Sequence, residues 1–218
     1  NGPRTTNLIE QLVPNFDTFL QLVRCARYWA KRRGLYNNKM GYLGGVNWNI
    51  LAAFICQLYP NAAPVLLLER FFHILTDWKW PTPILLTPQY DAGLGFETWD
   101  NSYGSNRFHV MPILTPAYPS MNSSYSTSRQ TLEVMQEEMA SALERVRACL
   151  KKEGTGWEEV FAPTDFAVGH SRYLCVEIFV KGLPEHLVTP NYNGWTGFVE
   201  SRLRKLIEYL SYLPVCRL

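Results

Sequence analysis

The segment from Pro64 to Trp78 restricts the possible folds more than any other part of this chain. Pro64 suits the first turn of a helix, where its missing N–H costs nothing. Behind it Leu67, Leu68, Phe71, Phe72, Leu75 and Trp78 leave almost no polar face. A helix that is apolar nearly all round has to be surrounded, so the sequence predicts a helical domain with this helix at its centre. Neighbouring segments supply the surround. Phe16, Phe19, Leu20, Val23, Ala26 and Ala30 recur at helical spacing. Asn15 is placed to cap that helix, a contribution of about 1 kcal/mol, and Gly34 stands just past its end. A further helix runs from about Asn47 to Leu58, where Tyr59-Pro60 stops it. Thr127-x-x-Gln130 reads as a capping box for a long helix reaching about Lys152. Its apolar face carries Leu132, Met135, Met139, Leu143, Val146 and Leu150.

Pro81, Pro83, Pro88, Pro112, Pro116 and Pro119 mark an irregular stretch that reaches roughly Ser126. It is too long for an ordinary connection. Either it packs as extended segments or it crosses a domain surface. The chain changes character at Gly154–Gly156. Asp165 to Val168 and Ser171 to Lys181 read as strands, with Leu174, Val176, Ile178 and Val180 alternating on one face. Trp195, Phe198, Val199, Leu203, Leu206, Ile207 and Leu210 follow as an amphipathic helix, Pro214 breaks it, and Val215 to Leu218 begins another strand. The expected fold class is therefore α+β: an all-helical domain over residues 1–154, then a partial β-α-β domain over residues 155–218.

Bulk properties exclude several classes. With 218 residues, 47% of them hydrophobic, the chain buries a sizeable core. Its 21 basic and 19 acidic residues leave a net charge of +2, so a nucleic-acid role must rest on local clusters. Arg24, Arg27, Lys31, Arg32 and Arg33 form one cluster, and Arg202, Arg204 and Lys205 another. Five scattered cysteines show no zinc spacing and read as reduced thiols. No apolar run approaches a membrane span. There is no GxxxxGK[ST], HExxH or GxSxG. His73, His109, His170 and His186 are scattered, and Asp91, Asp100 and Asp165 stand alone, so no Asp pair offers a two-metal site. The chain does not begin with methionine and reads as cut from something longer.

Chemistry concentrates between Arg27 and Trp48. A basic, aromatic helix end stops at Gly34, a polar loop with Tyr36 and Asn38 follows, and Gly44-Gly45 precedes Val46 at a helix start. Cations, amide side chains and free helix-start N–H groups are what phosphate and nucleobase binding requires. Each part also has a plainer reading. Gly44-Gly45 serves equally as a tight turn, and cations at a helix C-terminus offset its dipole by roughly 0.3–1 kcal/mol.

The residue order adds to this. NGPR at Asn1–Arg4, YWAKRRGLYNN at Tyr28–Asn38, GYLGGVNW at Gly41–Trp48 and ICQLYPNA at Ile55–Ala62 are followed by RFFHILTDWKWP at Arg70–Pro81, MPILTPAYPSMN at Met111–Asn122 and WTGFVESRLRKLI at Trp195–Ile207. In this series the chain resembles the eukaryotic poly(A) polymerases that extend messenger-RNA precursors. The resemblance covers essentially the whole chain. It implies the family's central helical domain, from its entry strand onward, and the first part of a C-terminal RRM-like RNA-binding domain. The nucleotidyltransferase domain with the metal-binding aspartates would precede Asn1. Family contacts to ATP map onto Asn1, Tyr36, Asn38, Gly45 and Val46, with Val46 against the adenine face. A phosphate-contacting lysine of the family is Arg27 here, which keeps the charge but changes reach and geometry. The RNP1-type aromatic motif is absent, so base stacking on a sheet is not expected.

The resemblance further implies magnesium- or manganese-dependent transfer of AMP from ATP to an RNA 3′ hydroxyl, in the nucleus and alongside cleavage and polyadenylation factors. The metal would be held outside this chain, and the chain alone would be inactive. Lys31, Arg32, Arg33, Arg202, Arg204 and Lys205 are the expected RNA contacts. Binding by them would be weak, salt-sensitive and sequence-tolerant. The rival readings are a non-catalytic RNA-binding or scaffold protein built from the same domains, and a related nucleotidyltransferase with another nucleotide preference.

Overall fold

The structure is a computed structural model that describes residues 2–152, 154, 156–165, 168, 173–181 and 184–211, the side chains of Arg204 and Ser211 excepted. It divides into two units, residues 1–163 and 164–218. The first holds α1 (Gly2–Leu12), α2 (Phe16–Arg32), α3 (Gly45–Leu58), α4 (Pro64–Asp77), α5 (Arg129–Lys151) and the short α6 (Trp157–Val160). The second holds α7 (Glu185–Ser211).

Local signals set most of these boundaries. Asn15 accepts a hydrogen bond from the Thr18 N–H at 3.0 Å and so caps α2. Pro64 opens α4 as its first residue. The cap of α5 is Ser128, one residue beyond the expected Thr127, and its box partner is Thr131. Residues 2–12 form a helix where the resemblance implied an entry strand.

α2, α3, α4 and α5 pack on one another around a single core. The helix covered most completely is α3. Asn47, Trp48, Ile50, Leu51, Ala52, Ala53, Ile55 and Cys56 are all buried there. α4 packs against α2, α3 and α5, yet it leaves Val65 and Leu66 in solvent on its first turn. The two small alanines in α3 let its neighbours approach closely. Its partners then interlock through large rings: Trp29 meets Trp48 at 6.2 Å and Phe72 at 4.8 Å, both edge-on. Pairs of this kind add about 0.5–1.5 kcal/mol each beyond the area that they bury.

The proline-rich stretch packs as extended segments over part of its length. The Ile84 N–H donates to Pro112 O and the Leu114 N–H to Ile84 O, both at 3.0 Å. Ile84 and Ile113 form a parallel bridge, and Leu114 and Asn122 an antiparallel one. Ile84, Leu86, Met111, Ile113, Leu114 and Tyr118 are buried beneath these contacts. Residues 90–97, by contrast, are exposed.

The α+β expectation fails at the second unit. Among the described residues no strand forms, and the partial RRM-like β-α-β arrangement is not seen. Residues 173–181 take no regular structure. Leu174, Val176 and Phe179 are exposed, while Ile178 and Val180 are half-buried. Alternating apolar residues define a face, but a strand exists only as one rail of a hydrogen-bonded ladder. Among the described residues no second rail is present. The expected strand at Asp165 to Val168 is only partly described, and Val215 to Leu218 lies outside the described residues. The expected helix around Trp195 is there as α7, longer than its apolar pattern and with Pro190 inside it.

Candidate nucleotide site

The end of α2 decides where the site residues go. Arg33 caps the helix and Gly34 follows at φ +74°, a left-handed conformation that glycine adopts without strain. The Leu35 N–H reaches back to Ala30 O at 2.8 Å, and the Gly34 N–H to Lys31 O at 3.3 Å. This is the Schellman pairing, which satisfies the last carbonyls and reverses the chain. Leu35 is buried by the reversal, and Tyr36 is laid back along α2.

Arg27 and Lys31 stand four residues apart, on one face of α2. Both come over the Tyr36 ring, the Arg27 guanidinium carbon at 5.6 Å and Lys31 Nζ at 5.2 Å from its centroid. Arg27 Nη2 donates to Tyr36 Oη at 2.7 Å. The pair is thus tied in-plane by a hydrogen bond and above the ring by charge, each worth about 0.5–1.5 kcal/mol in a half-exposed setting.

Opposite this pair begins α3. A Cβ placed on Gly45 would stand 2.7 Å from Tyr36 Oη and 3.0 Å from Arg27 Nη2. The backbone of the first turn therefore lies directly against the Arg27–Tyr36 contact. Gly44 packs beside Asn38, whose Nδ2 would be 3.8 Å from a Cβ there. Val46 is 38% exposed and presents an apolar surface next to these polar groups. Arg27, Tyr36, Asn38, Gly45 and Val46 thus belong to one region built from the end of α2, the following turn and the start of α3. Asn1 lies outside the described residues.

Asn47 was not read from the sequence as a site residue, yet it holds the region together. It is fully buried. Its Oδ1 accepts from the Gly44 N–H at 2.8 Å, and its Nδ2 donates to Ser123 Oγ at 2.7 Å, which in turn donates to Ile113 O at 2.7 Å. The extended segments thereby hold the start of α3. The Gly44-x-x-Asn47 spacing of a helix start was the available signal. Thr131 Oγ1 donates to Gly41 O at 3.0 Å, and Ser126 Oγ to Asn38 O at 3.3 Å, which ties the intervening turn to the start of α5.

The basic cluster splits. Lys31 is exposed and shares the Tyr36 ring with Arg27. Arg33 makes a two-pronged pair with Glu138 of α5, Nε to Oε2 at 2.6 Å and Nη2 to Oε1 at 3.0 Å, and donates to Ala162 O at 3.2 Å. Arg32 donates to Phe161 O at 3.1 Å. Burial and then the charge of Glu138 push the phenol of nearby Tyr42 above its ordinary pKa. In the second unit, Arg202 lies 4.8 Å over the Phe198 ring and Lys205 is exposed on α7. The side chain of Arg204 lies outside the described residues. Among the described residues no three His, Cys, Asp or Glu side chains come together to hold a metal ion.

Comparison with known proteins identifies the family of this chain. Residues 18–163 match the model of the poly(A) polymerase central domain. The chain belongs to the poly(A) polymerases. Nuclear poly(A) polymerase 1 of Arabidopsis thaliana is 43% identical over 207 residues, 94% of this chain and 28% of the relative. The poly(A) polymerase of Dictyostelium discoideum is 41% identical over 98% of this chain and 26% of its own length. Poly(A) polymerase pla1 of Schizosaccharomyces pombe is 38% identical over the full chain and 38% of its own length. The chain thus spans about a quarter of the first two relatives. The domain matched by the family model includes the whole α2–α3 region and ends where the first unit ends.

Proposed function

We propose that residues Arg27 to Val46 form the ATP-binding wall of a polymerase that transfers AMP from ATP to the 3′ hydroxyl of RNA, and that this protein works in the nucleus with cleavage and polyadenylation factors. The observation that carries the reading is the Arg27–Tyr36 contact, with Lys31 over the same ring and the first turn of α3 against it. In this reading Arg27 and Lys31 neutralise the triphosphate. One of the five guanidinium N–H groups of Arg27 is spent on Tyr36, which fixes the direction of the others. The open N–H groups and dipole of the first turn of α3 add to the same anion. Asn38 and the Tyr36 hydroxyl supply directional contacts to the adenosine, and Val46 covers the face of the base. Among the described residues no three metal-ligating side chains come together, and in this reading magnesium or manganese is held by another part of the protein. What this wall contributes to the reaction is position: it holds the triphosphate in line for attack.

The test is steady-state kinetics of the intact polymerase. Tyr36→Phe and Asn38→Ala should raise the KM for ATP several-fold with kcat largely kept, as loss of ground-state contacts does. Val46→Asp should cost more, because it puts a charge against an apolar base face. Wild-type ATP kinetics in all three variants would refute the assignment.

A further inference from the structure

A second feature of the first unit has no part in the ATP wall. A groove of about 620 Å³ lies between the Trp78–Pro81 corner, residues 107–110 and the start of α5. Lys79, Arg107 and Arg129 line it, against one carboxylate, Glu133. Phe108 stands 70% exposed, with the Arg107 guanidinium 4.8 Å over its ring, and half-buried Trp80 also lines the groove. His109 adds a directed group. Trp99 Nε1 donates to His109 Nδ1 at 3.0 Å, so the ring carries its proton on Nε2 and offers a donor there.

We infer that this groove is a binding site for single-stranded RNA, upstream of the 3′ end held in the active site. Rings that stack on bases, interleaved with cations that meet phosphates, are the composition that binds single strands without sequence choice. The charge is complementary to a polyanion. An amphipathic peptide helix would need a continuous aliphatic floor, and here only Pro81, Val110 and Leu132 supply aliphatic surface. The position is suitable too. Thr131 faces the Gly41 turn, while Arg129, Leu132 and Glu133 face the groove. The groove and the nucleotide region therefore flank the two sides of one helix, about 10–12 Å across. That RNA is the polymer rests on the proposed polymerase reading; the groove itself does not.

The test uses the intact polymerase and fluorescent oligo(A) of five and twenty nucleotides. Charge reversal at two exposed positions, Arg107→Glu with Arg129→Glu, should weaken the twenty-mer at least tenfold. It should also flatten the salt dependence by about 1.4 in log–log slope, two phosphate contacts at roughly 0.7 each. The five-mer should change less than twofold. Phe108→Ala should weaken the twenty-mer about fivefold or more, and Phe108→Trp should restore it. Unchanged twenty-mer affinity, or equal loss for both lengths, overturns the proposal. So does loss of binding to an acidic, phenylalanine-containing peptide without loss of RNA, which would make the groove a protein-docking site. Failure of the ATP assignment shows separately, as wild-type ATP kinetics in Tyr36→Phe, Asn38→Ala and Val46→Asp.

Discussion

A methyl group at Gly45 has no room unless the Arg27–Tyr36 contact opens, because it would fall 2.7 Å from Tyr36 Oη and 3.0 Å from Arg27 Nη2. Helix propensity pulls the other way, since alanine in a helix is favoured over glycine by up to about 1 kcal/mol. Gly45→Ala therefore separates fold from function. Thermal stability should stay within a few degrees of wild type, while the KM for ATP of the intact enzyme rises several-fold. A variant with wild-type KM would show that the pair can shift aside without consequence. The sequence placed Gly45 next to a helix start but could not say what faced it. That information lies in the reversal at Gly34, which brings Tyr36 back under Arg27. Lys31 is the matching case. With Arg32 and Arg33 it is an expected RNA contact, but consecutive residues fan around a helix, so at most one or two of the three can face one cleft and the others are expected in solvent or paired with acidic residues. Lys31 shares the Tyr36 ring, whereas Arg33 is tied to Glu138, 105 positions along the chain. No local pattern encodes that pairing.

At the scale of elements, caps and prolines were legible and partners were not. Asn15, Gly34 and Pro64 act on neighbours a few residues away, so their effects can be read from adjacent letters. The stretch from Pro81 to Ser126 depends on distant contacts: Ile84 with Ile113, Ser123 with Asn47. The same reason explains why Leu174 to Val180 forms no strand. Apolar alternation at Leu174 to Val180 is a local property, whereas a ladder is not. His109 gives this stretch a pH response. Burial holds its pKa below the ordinary histidine value, and protonation at Nδ1 would also remove the acceptor of Trp99. Above about pH 6.5 the ring is neutral in both folded and unfolded chains, and its contribution is fully present. As pH falls through the lowered folded value, the unfolded chain binds the proton first and that stability is lost. His109→Gln keeps an acceptor for Trp99 without a titrating ring. Its drop in melting temperature between pH 7.5 and 5.5 should be smaller than that of wild type. An equal drop would place the acid sensitivity elsewhere.

At the scale of the whole molecule, a site is not yet a catalyst. The α2–α3 region offers cations, amide groups and a helix start, all suited to grip a nucleotide. In-line displacement at phosphorus also needs its attacking and leaving oxygens stabilised, commonly by two metal ions about 3.5–4 Å apart. Such ions require clustered carboxylates, and the described residues bring no three metal-ligating side chains together. Asp91 and Asp100 are spent locally. Asp91 Oδ1 accepts from the Gly93 N–H, and Asp100 Oδ1 accepts from the Ser102 N–H and hydroxyl, which holds its carboxyl below the usual pKa. The expected outcome is that this chain, supplied with ATP, magnesium and an oligo(A) primer, adds no nucleotides. Adding back the rest of the polymerase in trans should restore extension only if the two parts dock. The measurement is primer length on a denaturing gel, with manganese as a second condition. Extension by the chain alone under either metal would mean that its own carboxylates assemble a metal site in the presence of substrate, and the division of labour argued here would have to be abandoned.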